Sequence, residues 1–268
     1  MPIIYDEAAD VYHANEANGS TDIRTFLRSP TLYRDCKDGL KLKDTDALLF
    51  GTASHLAMLE PQRFATLVAI KPHGMHLGTI EGKAWKAQQV GKTIISGDDA
   101  DHLTGMVARM PAEVRAIFAR CRTEVTVRTQ IDGLPVQCRF DLWGDVETWD
   151  LKSIDAIENI ERAIYKRGYH IQKRVYQRIE EAETGKPARP FGFLFVEKAP
   201  PYRWRIVEVD ADYDAIADEE IDKALHGIGA RMRSGCWDDP APLRLIATPP
   251  AWMNGDDFTN NDDGGLDL

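Results

Sequence analysis

The chain has 268 residues, 43 acidic and 33 strongly basic, for a formal charge of -10. Its 43% hydrophobic and 28% charged residues form an ordinary globular balance, which excludes a disordered, collagen-like or disulfide-scaffold protein. No apolar run approaches the roughly 20 residues of a membrane-spanning helix. The length suits one large domain or two small ones, with room for a substantial core. The opening MPIIYDEAADVY is acidic and lacks the pattern of a signal peptide. Cys36, Cys121, Cys138 and Cys236 are scattered with no CxxC pair, which argues against a local thiolate metal site. With no export signal, a reduced cytoplasmic chain is expected. Net acidity disfavours nucleic-acid binding over the whole surface but leaves a local basic groove open.

Residues 1 to 19 carry little pattern. STDIRTFLRSP reads as a short helix with Ile23, Phe26 and Leu27 on one face, stopped by Pro30, which opens a second helix through TLYRDC. DALLFGTASHLAMLEP is a longer helix, with Leu48, Leu49, Ala53, Leu56 and Leu59 at helical spacing and Pro61 at its end. KPHGMHLGTIEGKAWKAQ, rich in glycine and base, predicts a mobile loop within 61–100. DDADHLTGMVARMPAEVRAIF returns to helical spacing.

From about residue 122 the period becomes two. TEVTVRTQ, VQCRFDLWG and VETWDLKS predict a three-stranded meander, with a turn at IDGLP. One long helix follows, its apolar face running Ile157, Ile160, Ile164, Ile171, Val175 and Ile179. FGFLFVEK and YRWRIVEVD are two more strands, and a last helix spans about 211–233. The fold class expected is α/β, a central mixed β-sheet flanked by helices. Residues 1–253 form a single domain with an N-terminal helical portion, and the acidic tail 254–268 reads as disordered.

Strand alternation places Val136, Cys138, Phe140 and Leu142 on one face and Gln137, Arg139 and Asp141 on the other. On the next strand Asp150 and Lys152 share a face. If the two strands pair, Asp141, Asp150 and Lys152 converge. Neighbouring carboxylates repel unless a cation lies between them or one is protonated, and oxygen ligands suit magnesium or manganese. A lysine on the same face is placed to orient an attacking water or to stabilise charge on a phosphate, which is metal-assisted phosphodiester hydrolysis. His55, on the stripe Leu48, Thr52, His55, Leu59, is a candidate imidazole ligand; a helical histidine beside leucines is otherwise a core residue. Arg162, Lys166, Arg167, Lys173, Arg174 and Arg178 crowd the long helix with Gln172 and Tyr176 one turn apart. That stripe fits a groove tracking a nucleic-acid backbone; the alternative is a solvated helix face. EGKAWK lacks the spacing of a phosphate loop, and no dinucleotide-binding fingerprint is present.

The ordered blocks TDIRTFLRSPTLYRD, GTASHLAMLEP, EGKAWK, TEVTV, RFDLWGD, WDLKS and YHIQKRVY resemble the RecE (exonuclease VIII) branch of the PD-(D/E)xK nuclease superfamily over roughly residues 20–240. The resemblance implies a restriction-endonuclease-like core. It also implies a metal site of His55, Asp141, Asp150 and the backbone carbonyl of Leu151, with Lys152 as catalytic lysine. Gln172 and Tyr176 match the Q-x-x-x-Y motif expected near the DNA backbone, and Glu124 matches a recurrent acid of the first core strand. Phe140 stands where the motif has proline, a substitution common in the superfamily. Only Cys236 lies downstream of the core, so an iron–sulfur subgroup is disfavoured.

The activity implied is a magnesium-dependent exonuclease, with manganese as a substitute ion. It would act on ends of double-stranded DNA, 5′ to 3′, and leave 3′ tails for a single-strand annealing protein. A homo-oligomeric ring is implied by the same resemblance, and its basic lumen would reconcile the net acidity with DNA. A structure-specific or single-strand endonuclease and a non-catalytic recombination module are the alternatives.

Overall fold

The computed structural model describes residues 3–43, 45–240, 244 and 246. Met1–Trp237 forms one compact unit and Asp238–Leu268 a second, whose described residues hold no helix or strand. The tail expected from residue 254 lies outside the described residues.

The chain begins with α1 (Ala9–His13), α2 (Ser20–Arg28), α3 (Pro30–Lys37) and α4 (Asp46–Leu59). Pro30 does both jobs expected of it. It ends α2 and sits in the first turn of α3, where Ser29 Oγ accepts from Leu32 N at 3.0 Å. The loop predicted within 61–100 is confined to residues 71–79, which are turns and irregular chain, and most of the rest of the segment is regular. The segment folds as α5 (Pro61–Leu67), β1 (Val68–Ile70), α6 (Ile80–Ala87), β2 (Thr93–Ile95) and the start of α7 (Gly97–Ala108), with β1 and β2 parallel. The sequence signal was masked because the two strands are three residues each and pair across a 22-residue excursion. Val68 and Ile95 are nevertheless buried in the core. Then comes α8 (Ala112–Arg120).

The main sheet is β3 (Arg122–Ile131), β4 (Leu134–Trp143), β5 (Thr148–Ile154), β6 (Phe191–Glu197) and β7 (Trp204–Glu208), in that spatial order. Asp132 and Gly133 both have positive φ, 52° and 77°, the requirement of a tight two-residue hairpin turn between β3 and β4. The expected meander holds, and β5–β6 is the one parallel pair of this mixed sheet. The crossover between β5 and β6 is not one helix. A 3-10 turn (Ile157–Asn159) leads to α9 (Ile160–Lys166), and α10 (Tyr169–Thr184) starts after Gly168. Gly168 has φ 62°, a left-handed conformation that glycine adopts freely and that breaks the helix. The chain then runs through β6 and β7 to α11 (Asp212–Ser234).

Helices cover both faces of the sheet. Phe191, Phe193 and Phe195 of β6 point into one core with Phe140, Ile171, Val175, Ile179 and α11 residues Ile221 and Leu225. Leu194 and Val196 point into the other, with Phe50, Leu59, Leu103 and Ile117. This strict alternation is the period-two pattern of a strand buried on both faces. Residues 3–18, patternless in sequence, form a strap that pairs with β3 at one end and with β4 at the other. Ile4 pairs with Thr126, Glu7 with both terminal nitrogens of Arg128 (2.8 Å each), and Asn18 with Val136. No helix among the described residues is long and apolar enough to cross a membrane.

The end of β6 is tied by charge. Glu197 is buried and accepts from Ile157 N, Arg203 N and Arg203 Nε at 3.2, 3.2 and 2.8 Å. Hydrogen bonding from Arg203 is the main reason its carboxyl is lowered from 4.5 to about 2. A depressed folded-state pKa stabilises fully above the unfolded value and ceases to as pH falls through the folded one. Between pH 4.5 and pH 2 the Tm of Glu197→Gln therefore falls less than that of the wild type; parallel curves in a thermal melt series would contradict the pairing.

Candidate metal centre and active site

β4 and β5 pair only at Leu142↔Trp149 and Trp143↔Thr148, then separate. The next groups on β5 that would have bonded β4 are those of Leu151, and side chains take them instead. Asp141 Oδ2 accepts from Leu151 N at 2.7 Å. His55 Nε2, from α4, lies 3.0 Å from Leu151 O. A buried backbone amide and carbonyl left without partners would each cost a hydrogen bond's worth of desolvation, so the splayed strands and these two side chains depend on one another.

The hydrogen bonds also settle the histidine tautomer. A carbonyl only accepts, so Nε2 carries the proton. Burial holds the imidazole pKa below its ordinary 6.5 despite nearby Asp150, so the ring is neutral at neutral pH. Its Nδ1 lone pair then faces Asp141 Oδ2 at 3.6 Å. Glu124 joins them: one donor atom each from His55, Glu124 and Asp141 lie within 4.8 Å of one another. Three lone pairs face one another here.

Glu124 reaches this point by an unusual route. It has φ 57°, a conformation costing a non-glycine residue about 1–3 kcal/mol. Pairing runs Thr123↔Leu142, then Val125↔Phe140, with Glu124 and Asp141 between them unpaired. The same irregularity corrects the strand faces. Leu142, expected beside Val136, Cys138 and Phe140, packs with Trp149 and Leu151 in the opposite core. Burial, and next the Asp141 charge, raise the Glu124 carboxyl to about 7. Burial, and next Asp150, raise Asp141 well above its ordinary 3.8. Carboxylates this strained by one another, with a neutral imidazole lone pair among them, fit a bound divalent cation.

Asp150 and Lys152 share a face of β5, as the alternation predicts. Asp150 is 2% exposed. Its Oδ2 lies 2.5 Å from Lys152 Nζ, and its Oδ1 accepts from Gln172 Nε2 at 2.5 Å. As placed, Asp150 holds Lys152 and stands outside the His55–Glu124–Asp141 group. Lys152 Nζ lies 4.9 Å from the centroid of the Tyr169 ring. Burial opposes its charge, but Asp150 and Asp141 outweigh burial and raise its pKa. The group is an ammonium at neutral pH, a donor and not a base. His55, Glu124, Lys152 and Tyr169 line a cavity of about 620 Å³ that also takes in Arg139 and Arg167.

The expected DNA-binding set divides. Gln172 touches the site through Asp150. Tyr176 is not near an open groove: it is buried, edge-on to Phe140 at 5.0 Å and Phe191 at 5.6 Å, because α10 lies on the Phe140 side of the sheet. Lys173 is buried and donates to Asp214 at 2.7 Å and to Val209 O at 3.3 Å. Arg174 pairs with Asp218 at 2.9 Å, and Arg178 with Asp222 at 2.7 Å. These three cations are spent on the acidic face of α11, which is why they read as a stripe. Arg162, Lys166 and Arg167 are exposed and line clefts beside the site. Arg24 and Arg28 of α2 line the second cleft, about 510 Å³; sequence reasoning missed them because they lie some 140 residues away. It also passed over Arg139, although Arg139 shares the polar strand face with Asp141.

Among curated proteins, none matches the chain. In structure the chain is similar to a Eubacterium rectale protein named "Putative exonuclease", with a TM-score of 0.67 over 95% of this chain and 98% of that one at 16% identity, which speaks for the fold alone. An alkaline exonuclease (LHK-Exo) of Laribacter hongkongensis aligns over 68% of this chain and 89% of that one at 17% identity and a TM-score of 0.32, too low to carry an argument. Residues 19–237 match a family described as PDDEXK-like domain of unknown function (DUF3799). With its splayed β4–β5 pair, its D-x-K strand and this match across most of its length, the chain belongs to the PDDEXK-like domain family.

Proposed function

We propose that this protein is a metal-dependent nuclease that hydrolyses the phosphodiester backbone of DNA. The single observation that carries the reading is the meeting of His55, Glu124 and Asp141, at the wall of a cavity that His55 and Glu124 line together with Lys152. His55, Asp141 and Glu124 would hold the ion, with Asp150 next to them. The donors are mostly carboxylate oxygen, which suits Mg²⁺, and the imidazole makes Mn²⁺ a good substitute. Such an ion supplies Lewis-acid stabilisation of phosphate charge and a lowered water pKa.

The residues of the chain do the rest. Asp150 and Gln172 fix Lys152 so that its ammonium points where charge develops as water attacks phosphorus and the P–O bond to the leaving sugar oxygen breaks. A preset donor of this kind costs no reorganisation in the transition state. Arg167 at the cavity wall, with Lys166, Arg162, Arg24 and Arg28 in the adjoining clefts, forms a basic track for a polyphosphate backbone on a chain of charge -10.

In keeping with the RecE-like resemblance, the enzyme is an exonuclease on linear duplex, running 5′ to 3′ and leaving 3′ tails for an annealing protein, and it assembles as a homo-oligomeric ring. Linear duplex is digested with Mg²⁺ or Mn²⁺ and spared with EDTA, covalently closed circles stay intact, and label at the 5′ end is released first. Nicked circles would replace the exonuclease by an endonuclease, release of 3′ label first would reverse the polarity, and digestion in EDTA would end the metal reading.

A further inference from the structure

We propose that Arg139 is a positioning residue: it holds the Glu124 carboxylate in the metal site, and Tyr12 of the N-terminal strap holds Arg139. The inference rests on the metal-site reading above but not on the DNA reading.

Glu124 has φ 57° at the third residue of β3, and a bulky residue keeps such a conformation only where its surroundings over-determine it. The surroundings that do so are on β4. Arg139 is 8% exposed, and its Nε forms an ion pair with Glu124 Oε2. The register sets Arg139 opposite Thr126, two residues along from Glu124, so the guanidinium reaches back along the hairpin to the carboxylate. On its other side lies the ring of Tyr12, 5.8 Å from the guanidinium carbon. Arg139 Nη1 is buried without a hydrogen bond; a guanidinium is nearly never buried for stability alone, and here the aromatic face and one carboxylate are its compensation. Tyr12 is fixed in turn, since its carbonyl accepts from Gln137 Nε2 at 3.2 Å, and the strap is anchored by the Glu7–Arg128 pair. The chain of contacts runs from strap to guanidinium to carboxylate to the His55–Asp141 pair, and it ends in the cavity that the strap also lines through Ala9 and His13.

Partners that orient a ligand alter metal affinity by about tenfold to a hundredfold when removed. Titration of the whole chain with Mn²⁺ alone, followed by electron paramagnetic resonance, tests this without DNA. Glu124→Gln and Arg139→Gln each weaken Mn²⁺ binding about tenfold or more, and the double variant binds no worse than Glu124→Gln alone, because Arg139 acts only through that carboxylate. Tyr12→Leu weakens binding in the same direction and to a smaller extent. Wild-type Mn²⁺ affinity in Arg139→Gln, or losses that multiply in the double variant, overturns the proposal. Where Arg139→Gln fails to fold, Arg139→Lys carries the comparison: it keeps the charge without the planar fork, and unchanged affinity there equally overturns the positioning role. Mn²⁺ binding that follows these rules in a protein that leaves DNA intact would sink the nuclease reading and leave this one standing.

Discussion

Lys152→Ala lowers the rate of duplex digestion by about a thousandfold or more while divalent-ion binding persists. The ammonium is a positive charge held in the centre itself, 2.5 Å from Asp150 Oδ2. Its raised pKa makes it a constant donor across neutral pH, so no other group substitutes for it. The variant also has a stability cost. Asp150 is almost fully buried, and removing one partner of a buried pair typically costs about 3–5 kcal/mol because the other charge is left uncompensated. The paired variant Lys152→Met with Asp150→Asn removes both charges. It regains much of the lost Tm and none of the activity. Melting curves beside a digestion assay make the comparison, and cleavage recovering together with stability would show that Lys152 serves only to neutralise Asp150.

The second large effect concerns Asp141. Asp141→Asn loses Mg²⁺-dependent digestion by about a thousandfold and weakens ion binding by a hundredfold or more, yet its ion-free Tm is equal to or above that of the wild type. The amide oxygen still accepts from Leu151 N, so the splayed strands keep their tie. What disappears is a carboxylate that burial and Asp150 disfavour. With a folded-state pKa above the unfolded value, the ionised group destabilises at neutral pH, and that penalty vanishes as pH falls below the unfolded value. Functional carboxylates commonly carry such a cost. Adding Mg²⁺ raises the Tm of the wild type above the variant, because an ion that binds only the folded state stabilises it by mass action. An ion-free Tm well below wild type would mean that Asp141 is a structural hydrogen-bond acceptor first.

Both effects arise at one place, the amide and carbonyl of Leu151. β4 leaves β5 there, and a carboxylate ten residues upstream and an imidazole from α4 take over the ladder. The site is thus assembled from three layers of the fold, and its geometry is as rigid as the two cores that hold α4 and β5 in place. The basic clefts lie to one side of it, lined by α2 and the end of α9.

How much of this is legible in the sequence depends on range. Phe191, Phe193 and Phe195 against Leu194 and Val196, the isoleucines of α9 and α10, and Asp150 with Lys152 on one face all follow from the period of a helix or strand. That period is a local property of backbone geometry. The ordered motif blocks carried the family, and they singled out His55, whose ring lies 3.6 Å from Asp141 in the fold. Periodicity could not show that Lys173, Arg174 and Arg178 answer the acids of α11 some 40 residues later, nor that Glu124 leaves regular strand geometry opposite Asp141. It also could not show that Tyr12 leans on Arg139 across more than 120 residues. Charge and spacing along a chain state what a side chain is able to pair with; only closure of long loops decides which partner it meets. Residue types and periods by themselves determined the two-faced sheet, the D-x-K strand and the kind of chemistry they serve. The tertiary structure alone decided which carboxylates face the imidazole and which cations of α10 pair with the acids of α11.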